Sequence, residues 1–227
     1  MADAKTDRRP WLLLSPALGF ITVMVVIPMA FILVYSFYEN IDLAVDVPAF
    51  QFGNWQELLT DSYYHVAIWK TLRLSVIVTV LAAVLGYIPA YVIAMTKYRH
   101  KWLLLLLLIL PFWVSFIIRT LSWIHIFGNQ GALNGLFRFL GLSDAPLSLM
   151  YNEFTVIIGF IHVFLPYMIL NIYVSLEGID QNLEPAARTL GATPWQAFRE
   201  VTLPLSTPGL AAGCLLVFVL TGGSYVT

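Results

Sequence analysis

The sequence predicts an all-α polytopic membrane protein, one bundle of transmembrane helices, and three observations carry that expectation. Of 227 residues, 59% are hydrophobic and only 11% charged, where soluble domains carry roughly 25% charged residues. Five apolar runs, at 11–38, 74–95, 102–127, 154–176 and 208–226, are long enough to cross a hydrocarbon core of about 30 Å, which takes roughly 20 helical residues. Lysine and arginine gather in alternate connections, the pattern expected when positive charge stays on the inner side.

The first run follows the basic segment MADAKTDRRP, with Lys5, Arg8 and Arg9. It exceeds the apolar core of a cleaved signal, about 7 to 15 residues, so it reads as a retained first span with the N-terminus in the cytoplasm. The connection at 39–70 carries Glu39, Asp42, Asp46, Glu57 and Asp61, with Lys70 and Arg73 at its far end, and is expected outside. Between the second and third runs lie Lys97, Arg99 and Lys101, which return the chain to the inner side. Pro89, Pro111 and Pro166 break three successive runs, and such kinks are tolerated where neighbouring helices re-satisfy the freed carbonyls.

Arg119 is the conspicuous charge inside a run, where an arginine at mid-bilayer costs about 2.5 to 3.5 kcal/mol on insertion scales. Counted along a straight helix from Trp102 it lies roughly 25 Å up the core, close enough to the outer headgroups to snorkel. The other reading is that Arg119, with Trp113 and Trp123, lines an outward cavity on a translocation path. The outer connection at 128–153 has Leu133, Leu136, Phe137 and Leu140 at i, i+3, i+4 and i+7, flanked by Asn134 and Arg138. That spacing predicts a short amphipathic helix at the outer interface, or a plug against the pore. In the fourth run, Glu153 opens the helix with favourable charge. His162, about 13 Å further in, is placed for an interhelical hydrogen bond or a proton relay. Glu177 and Asp180 are expected to remain solvated.

The segment at 184–204, EPAARTLGATPWQAFREVTLP, predicts two short capped helices within an inner loop at 177–207. Pro185 suits the first turn of the first helix, with Glu184 ahead of it facing the positive end of the dipole. Gly191 is placed to end that helix in a left-handed conformation. Thr193, Pro194 and Gln196 then form a capping-box pattern, and Pro204 and Pro208 are expected to stop the second helix. The fifth run holds Cys214, the single cysteine, so an intrachain disulfide is excluded and the residue reads as a small buried side chain.

Two alanines, a glycine four residues after the second, then a β-branched residue followed by x-Leu-Pro form a recognisable pattern. Here those positions are Ala186, Ala187, Gly191, Val201, Leu203 and Pro204. The pattern resembles the cytoplasmic coupling loop of inner-membrane permease subunits of binding-protein-dependent ATP-binding-cassette importers. The family has a glutamate directly before the alanines, where this chain has Pro185 with Glu184 one place earlier. The stretch PFWVSFIIRTLSW at 111–123 is similar to the spermidine/putrescine branch of these permeases.

The resemblance implies a type I importer permease fold with a sixth span, hence a chain truncated before it; a five-span protein is the alternative. It implies Glu184, Ala186, Ala187, Arg188, Gly191, Val201, Leu203 and Pro204 as the ATPase-coupling residues. Arg119, Trp113, Trp123 and His162 stand as substrate-path candidates. The implied partners are a dimer of cassette ATPase subunits, a second permease, an extracytoplasmic solute-binding protein and membrane lipid, without nucleic acid, in a bacterial inner membrane. No G-x-x-x-x-G-K-[ST] pattern occurs, so ATP is expected to be used by the partner, with no cofactor, metal or catalytic group in this chain. A secondary transporter or channel would need buried ionisable pairs or an inverted repeat, and the runs hold no Asp or Glu centrally. A membrane-embedded enzyme would need a constellation that His65, His100, His125 and His162, scattered in depth, do not form.

Overall fold

The computed structural model describes residues 9–42, 45–96, 101–142, 145–150, 152–180 and 182–224. Lys5, Arg8, Lys97, Arg99 and His100 therefore lie outside the described residues. Contacts divide the chain into two units, Met1–Ile68 and Trp69–Thr227. In the first unit, α1 (Arg9–Tyr35) is followed by β1 (Glu39–Asp42) and β2 (Val45–Val47), then α2 (Gly53–Thr60). The two strands pair antiparallel with Glu39 opposite Val47, a small hairpin in the connection after the first apolar run. Asn54 fastens α2 to the end of α1, donating from Nδ2 to the carbonyls of Ser36 at 3.0 Å and Tyr38 at 2.8 Å. Phe37 packs edge-on against Phe52 beside it.

The helix α3 (Ser62–Met95) has 34 residues, about 51 Å at 1.5 Å per residue, so it starts well before the apolar run and carries Lys70 and Arg73 on helical turns. In the second unit it packs with α7 (Glu153–Glu177) and α10 (Leu203–Gly222). Lipid tails are as apolar as leucine, so close packing by small residues supplies the association. Ser75, Thr79, Ala82, Gly86 and Ala90 make such a buried stripe on α3. Gly209 and Gly213 do the same on α10, a G-x-x-x-G spacing. A Cβ at Gly209 would sit 2.3 Å from the Ser175 Cβ and 2.5 Å from the Asn171 carbonyl oxygen. Backbone cannot yield as a side chain can, so Gly209→Ala should destabilise by about 1–3 kcal/mol, read as a lower melting temperature in detergent. Gly213→Ala meets the flexible Met168 Sδ at 2.7 Å and should cost less; equal melting of Gly209→Ala and the parent would contradict this packing.

Ion pairs mark the two ends of the bundle. Arg73 pairs with Glu153 at the start of α7. At the other end Lys101 Nζ lies 2.5 Å from Glu177 Oε1, so Glu177, exposed as expected, also has an ion-pair partner. α3 and α7 thus run in the same direction.

The third apolar run departs from a straight span. It consists of α4 (Lys101–Ile109), a 3₁₀ turn (Leu110–Trp113) and α5 (Phe116–Phe127), followed by α6 (Ala132–Phe139), and the two halves are bent by 90°. Pro111 has no N–H to give the carbonyl four residues back, and Val114 and Ser115 then adopt extended dihedrals. Among the described residues four helices are long and apolar enough to cross a membrane, or five if this broken pair is one span. The straight-helix count that set Arg119 at the outer headgroups does not hold. In α6 the apolar face is split: Leu136 and Leu140 are exposed while Asn134 is buried. Asn134 donates to the Gly128 and Leu147 carbonyls, both at 3.0 Å, and accepts from the Leu147 N–H at 2.8 Å, pinning the connection.

Candidate functional site

Between α7 and α10 the chain forms α8 (Leu183–Thr189) and α9 (Pro194–Ala197). α8 opens two residues before Pro185, which still lies in the first turn where its missing N–H costs nothing. Gly191 ends it at φ +98°. The Ala192 N–H donates to the Ala187 carbonyl and the Gly191 N–H to the Arg188 carbonyl, both at 3.1 Å, a Schellman closure. Thr193 and Gln196 make the reciprocal capping box: the Thr193 N–H donates to Gln196 Oε1 at 2.8 Å and the Gln196 N–H to Thr193 Oγ1 at 3.3 Å.

Contrary to the expected stop at Pro204, the helix continues. Phe198–Thr202 form a π turn that leads directly into α10, the Leu203 N–H donating five residues back to the Phe198 carbonyl. Pro204 thus falls at the start of α10, where its ring is tolerated. The Pro204 carbonyl, deprived of a helical donor by Pro208, accepts from Thr207 Oγ1 at 2.6 Å.

Of the coupling candidates, Ala186, Arg188, Gly191 and Pro204 are exposed, and Glu184, Ala187, Val201 and Leu203 are half-buried. Leu190 is 90% exposed and Trp195 66% exposed, two apolar side chains flanking the Gly191 turn. Glu184 turns inward: its Oε2 accepts from the Tyr91 hydroxyl of α3 at 3.0 Å. The Phe198 ring packs edge-on against both Tyr87 and Tyr91, centroids 5.6 and 5.7 Å away. Leu190, Tyr87, Tyr91 and Phe198 were not among the sequence candidates. The two tyrosines at i and i+4, one face of a helix, were the only local signal.

The break in the third run opens a cavity of about 610 Å³ lined by Pro111, Val114, Arg119, Ser122, Trp123 and His162, among others. Arg119 is 9% exposed. Its guanidinium donates to the Pro111 carbonyl and, at 3.0 Å, to the Val114 carbonyl, so it turns back onto the break instead of snorkelling. Trp123 stacks on Phe127 and meets the His162 ring edge-on at 5.3 Å; that ring contact stands where a hydrogen bond was expected. Trp113 is 80% exposed and does not line this cavity. A second cavity of about 450 Å³ shares Leu107, Pro111 and His162 and adds Pro89 and Pro166. All three kinked prolines therefore meet at one place. Among the described residues no three His, Cys, Asp or Glu side chains are grouped to hold a metal.

A family model described as "Binding-protein-dependent transport system inner membrane component" matches residues 8–227. The spermidine/putrescine transport system permease protein PotB of Escherichia coli (strain K12) is 35% identical over 207 residues, covering 91% of this chain and 75% of that protein. The PotB protein of Haemophilus influenzae is 34% identical over 207 residues, covering 91% and 72%. The inner membrane ABC transporter permease protein YdcU of Escherichia coli (strain K12) is 30% identical over 237 aligned residues, covering 93% and 75%. Among solved structures, a bacterial ABC transporter involved in the import of the acidic polysaccharide alginate superposes with a TM-score of 0.71 at 18% identity, over 94% of this chain and 74% of that one.

Proposed function

The chain belongs to the binding-protein-dependent transport system inner membrane component family, and on that premise we propose how it works and what it carries. It is a multi-pass inner-membrane permease subunit of an ATP-binding-cassette importer. We assign it a polyamine such as spermidine or putrescine as cargo, on the strength of the 35% identity to permeases bearing that name. Its N-terminus faces the cytoplasm, and it works beside a second permease, over a pair of cassette ATPases and under a solute-binding protein.

One observation carries the coupling reading: α8 and α9 form a stiff, doubly capped pair that exposes Ala186, Gly191 and the apolar Leu190. Small residues let a partner approach closely and Leu190 supplies an apolar knob. Leu190→Glu should weaken binding of the ATPase, read by co-purification, by about a hundredfold or more, since a desolvated, unpaired charge costs several kcal/mol. Full retention of the ATPase would remove that face from the interface. Glu184, Ala187, Val201 and Leu203, all half-buried, support the pair from behind, and Pro204 starts α10 beside it.

The cargo path runs along the cavity where Arg119, Trp123 and His162 meet. A second reading has an observation in its favour: the buried guanidinium of Arg119 is hostile to a polycation, and among the described residues no carboxylate lines either cavity. On that reading the cargo is another small organic solute. ATP hydrolysis by the assembled transporter, with its binding protein loaded by spermidine, putrescine or neither, separates the two. Polyamine-dependent stimulation supports the first; none, with stimulation by a neutral or acidic solute, supports the second.

A further inference from the structure

We propose that Tyr87 and Tyr91 are positioning residues through which α3 holds the coupling pair, so that movement of α8 and α9 is delivered to α3 as well as to the spans they join. The inference rests on the coupling reading above. Three contacts carry it, one to each part of the connection. Tyr91 donates to Glu184 Oε2 on α8 at 3.0 Å. Phe198, at the start of the π turn, is seated edge-on between both tyrosine rings at interplanar angles of 88° and 89°. The Tyr87 hydroxyl lies 2.7 Å from Ser206 Oγ on α10. Ser206 is fully buried and donates its own proton to the Leu203 carbonyl at 2.9 Å, which leaves Tyr87 as donor to Ser206.

Pro89 lies between the two tyrosines and removes one hydrogen bond from the α3 ladder, and a proline is among the few causes of sharp helix bending. The end of α3 beyond it can tilt with the coupling pair while the longer part stays packed. Pro89 also lines the cavity shared with Pro111, Pro166 and His162, so a tilt at that point reaches the proposed cargo route. Glu184 acquires a role suited to its position, one place before the family's glutamate: it bonds to α3, while Ala186, two residues on, is exposed.

The full chain, assembled with its ATPase and second permease in proteoliposomes, tests this with spermidine as probe. Tyr91→Phe keeps the ring contacts and deletes one hydrogen bond to a charged acceptor. Cargo moved per ATP hydrolysed should fall about tenfold. Glu184→Ala should fall equally, the double variant no further, and Glu184→Gln should be rescued because its amide oxygen still accepts from Tyr91. Spin labels at Thr96→Cys and Thr189→Cys in a Cys214→Ser background give a cargo-independent reading. Their separation should hold between nucleotide-free and ATP-bound states in the parent and shift or broaden in Tyr91→Phe. Parent-like ratio and distances in Tyr91→Phe, with Glu184→Ala still uncoupled, would overturn the inference and put Glu184 on the ATPase itself. Loss of assembly in Tyr91→Phe would also overturn it, as a purely structural contact. A parent that moves no spermidine yet holds the label distance faults the cargo assignment alone. A parent that fails to bind the ATPase takes both readings down.

Discussion

Gly191→Pro is expected to uncouple transport from ATP hydrolysis, with cargo uptake falling by more than about tenfold while the chain still inserts and assembles. Gly191 sits at φ +98°, and proline is locked near −65°. The substitution also deletes the N–H that closes the end of α8 on the Arg188 carbonyl. Both the conformational strain and the lost bond fall on the turn that sets the angle between α8 and α9, so the lever changes shape without unfolding the spans. Ala187→Trp should act in the same direction: Ala187 is half-buried and its carbonyl receives the other bond of the closure. The measurement is uptake per ATP hydrolysed in proteoliposomes, and parent-like uptake by Gly191→Pro would remove the coupling role of this turn.

Replacing Arg119 is the second large effect. Its guanidinium supplies donors to two carbonyls, those of Pro111 and Val114, at the point where the third span abandons helical geometry. Non-helical backbone at membrane depth persists only where its polar groups are satisfied. Hydrogen bonds to charged groups contribute about 1.5–3 kcal/mol each, so Arg119→Gln should lower the melting temperature in detergent by about 5 °C or more. Uptake should fall with it, because the same residue lines the cavity beside Trp123 and His162. Arg119→Lys keeps the charge but reaches one carbonyl at a time, and should fall between the two. Unchanged melting and uptake kinetics in Arg119→Gln would exclude both the staple and the path.

What the sequence made legible was local. The capping box of Thr193 and Gln196 and the left-handed turn at Gly191 are set by residues within a few positions of one another, and both stand where the residue types placed them. Pro111 was visible as a kink, but whether a proline bends a span or breaks it depends on who satisfies the freed carbonyls. Here the backbone leaves helical geometry just after Pro111, and Arg119, eight residues on, donates to the Pro111 carbonyl at that break. Pro204 and Pro208 read as a stop for the same reason. The π turn at Phe198–Thr202 and the Thr207 hydroxyl absorb their missing donors, so the helix passes through. Asn134 flanked an apolar face in the sequence yet is buried, since its amide found three backbone partners across the connection. The contacts between α3 and the coupling pair were beyond reach. Tyr91 and Glu184 are 93 positions apart, and nothing in either neighbourhood names the other. The G-x-x-x-G of Gly209 and Gly213 is a readable pattern, but only the fold shows α7 as the helix it admits.

A gate without its own engine should move cargo only when gripped from the α8 and α9 side. Uptake of labelled spermidine against a gradient, in proteoliposomes with and without the ATPase partner, measures this directly. ATP-dependent accumulation with the partner, absent without it and abolished by Gly191→Pro, is the predicted result. Uphill accumulation by the chain without any ATPase would contradict it.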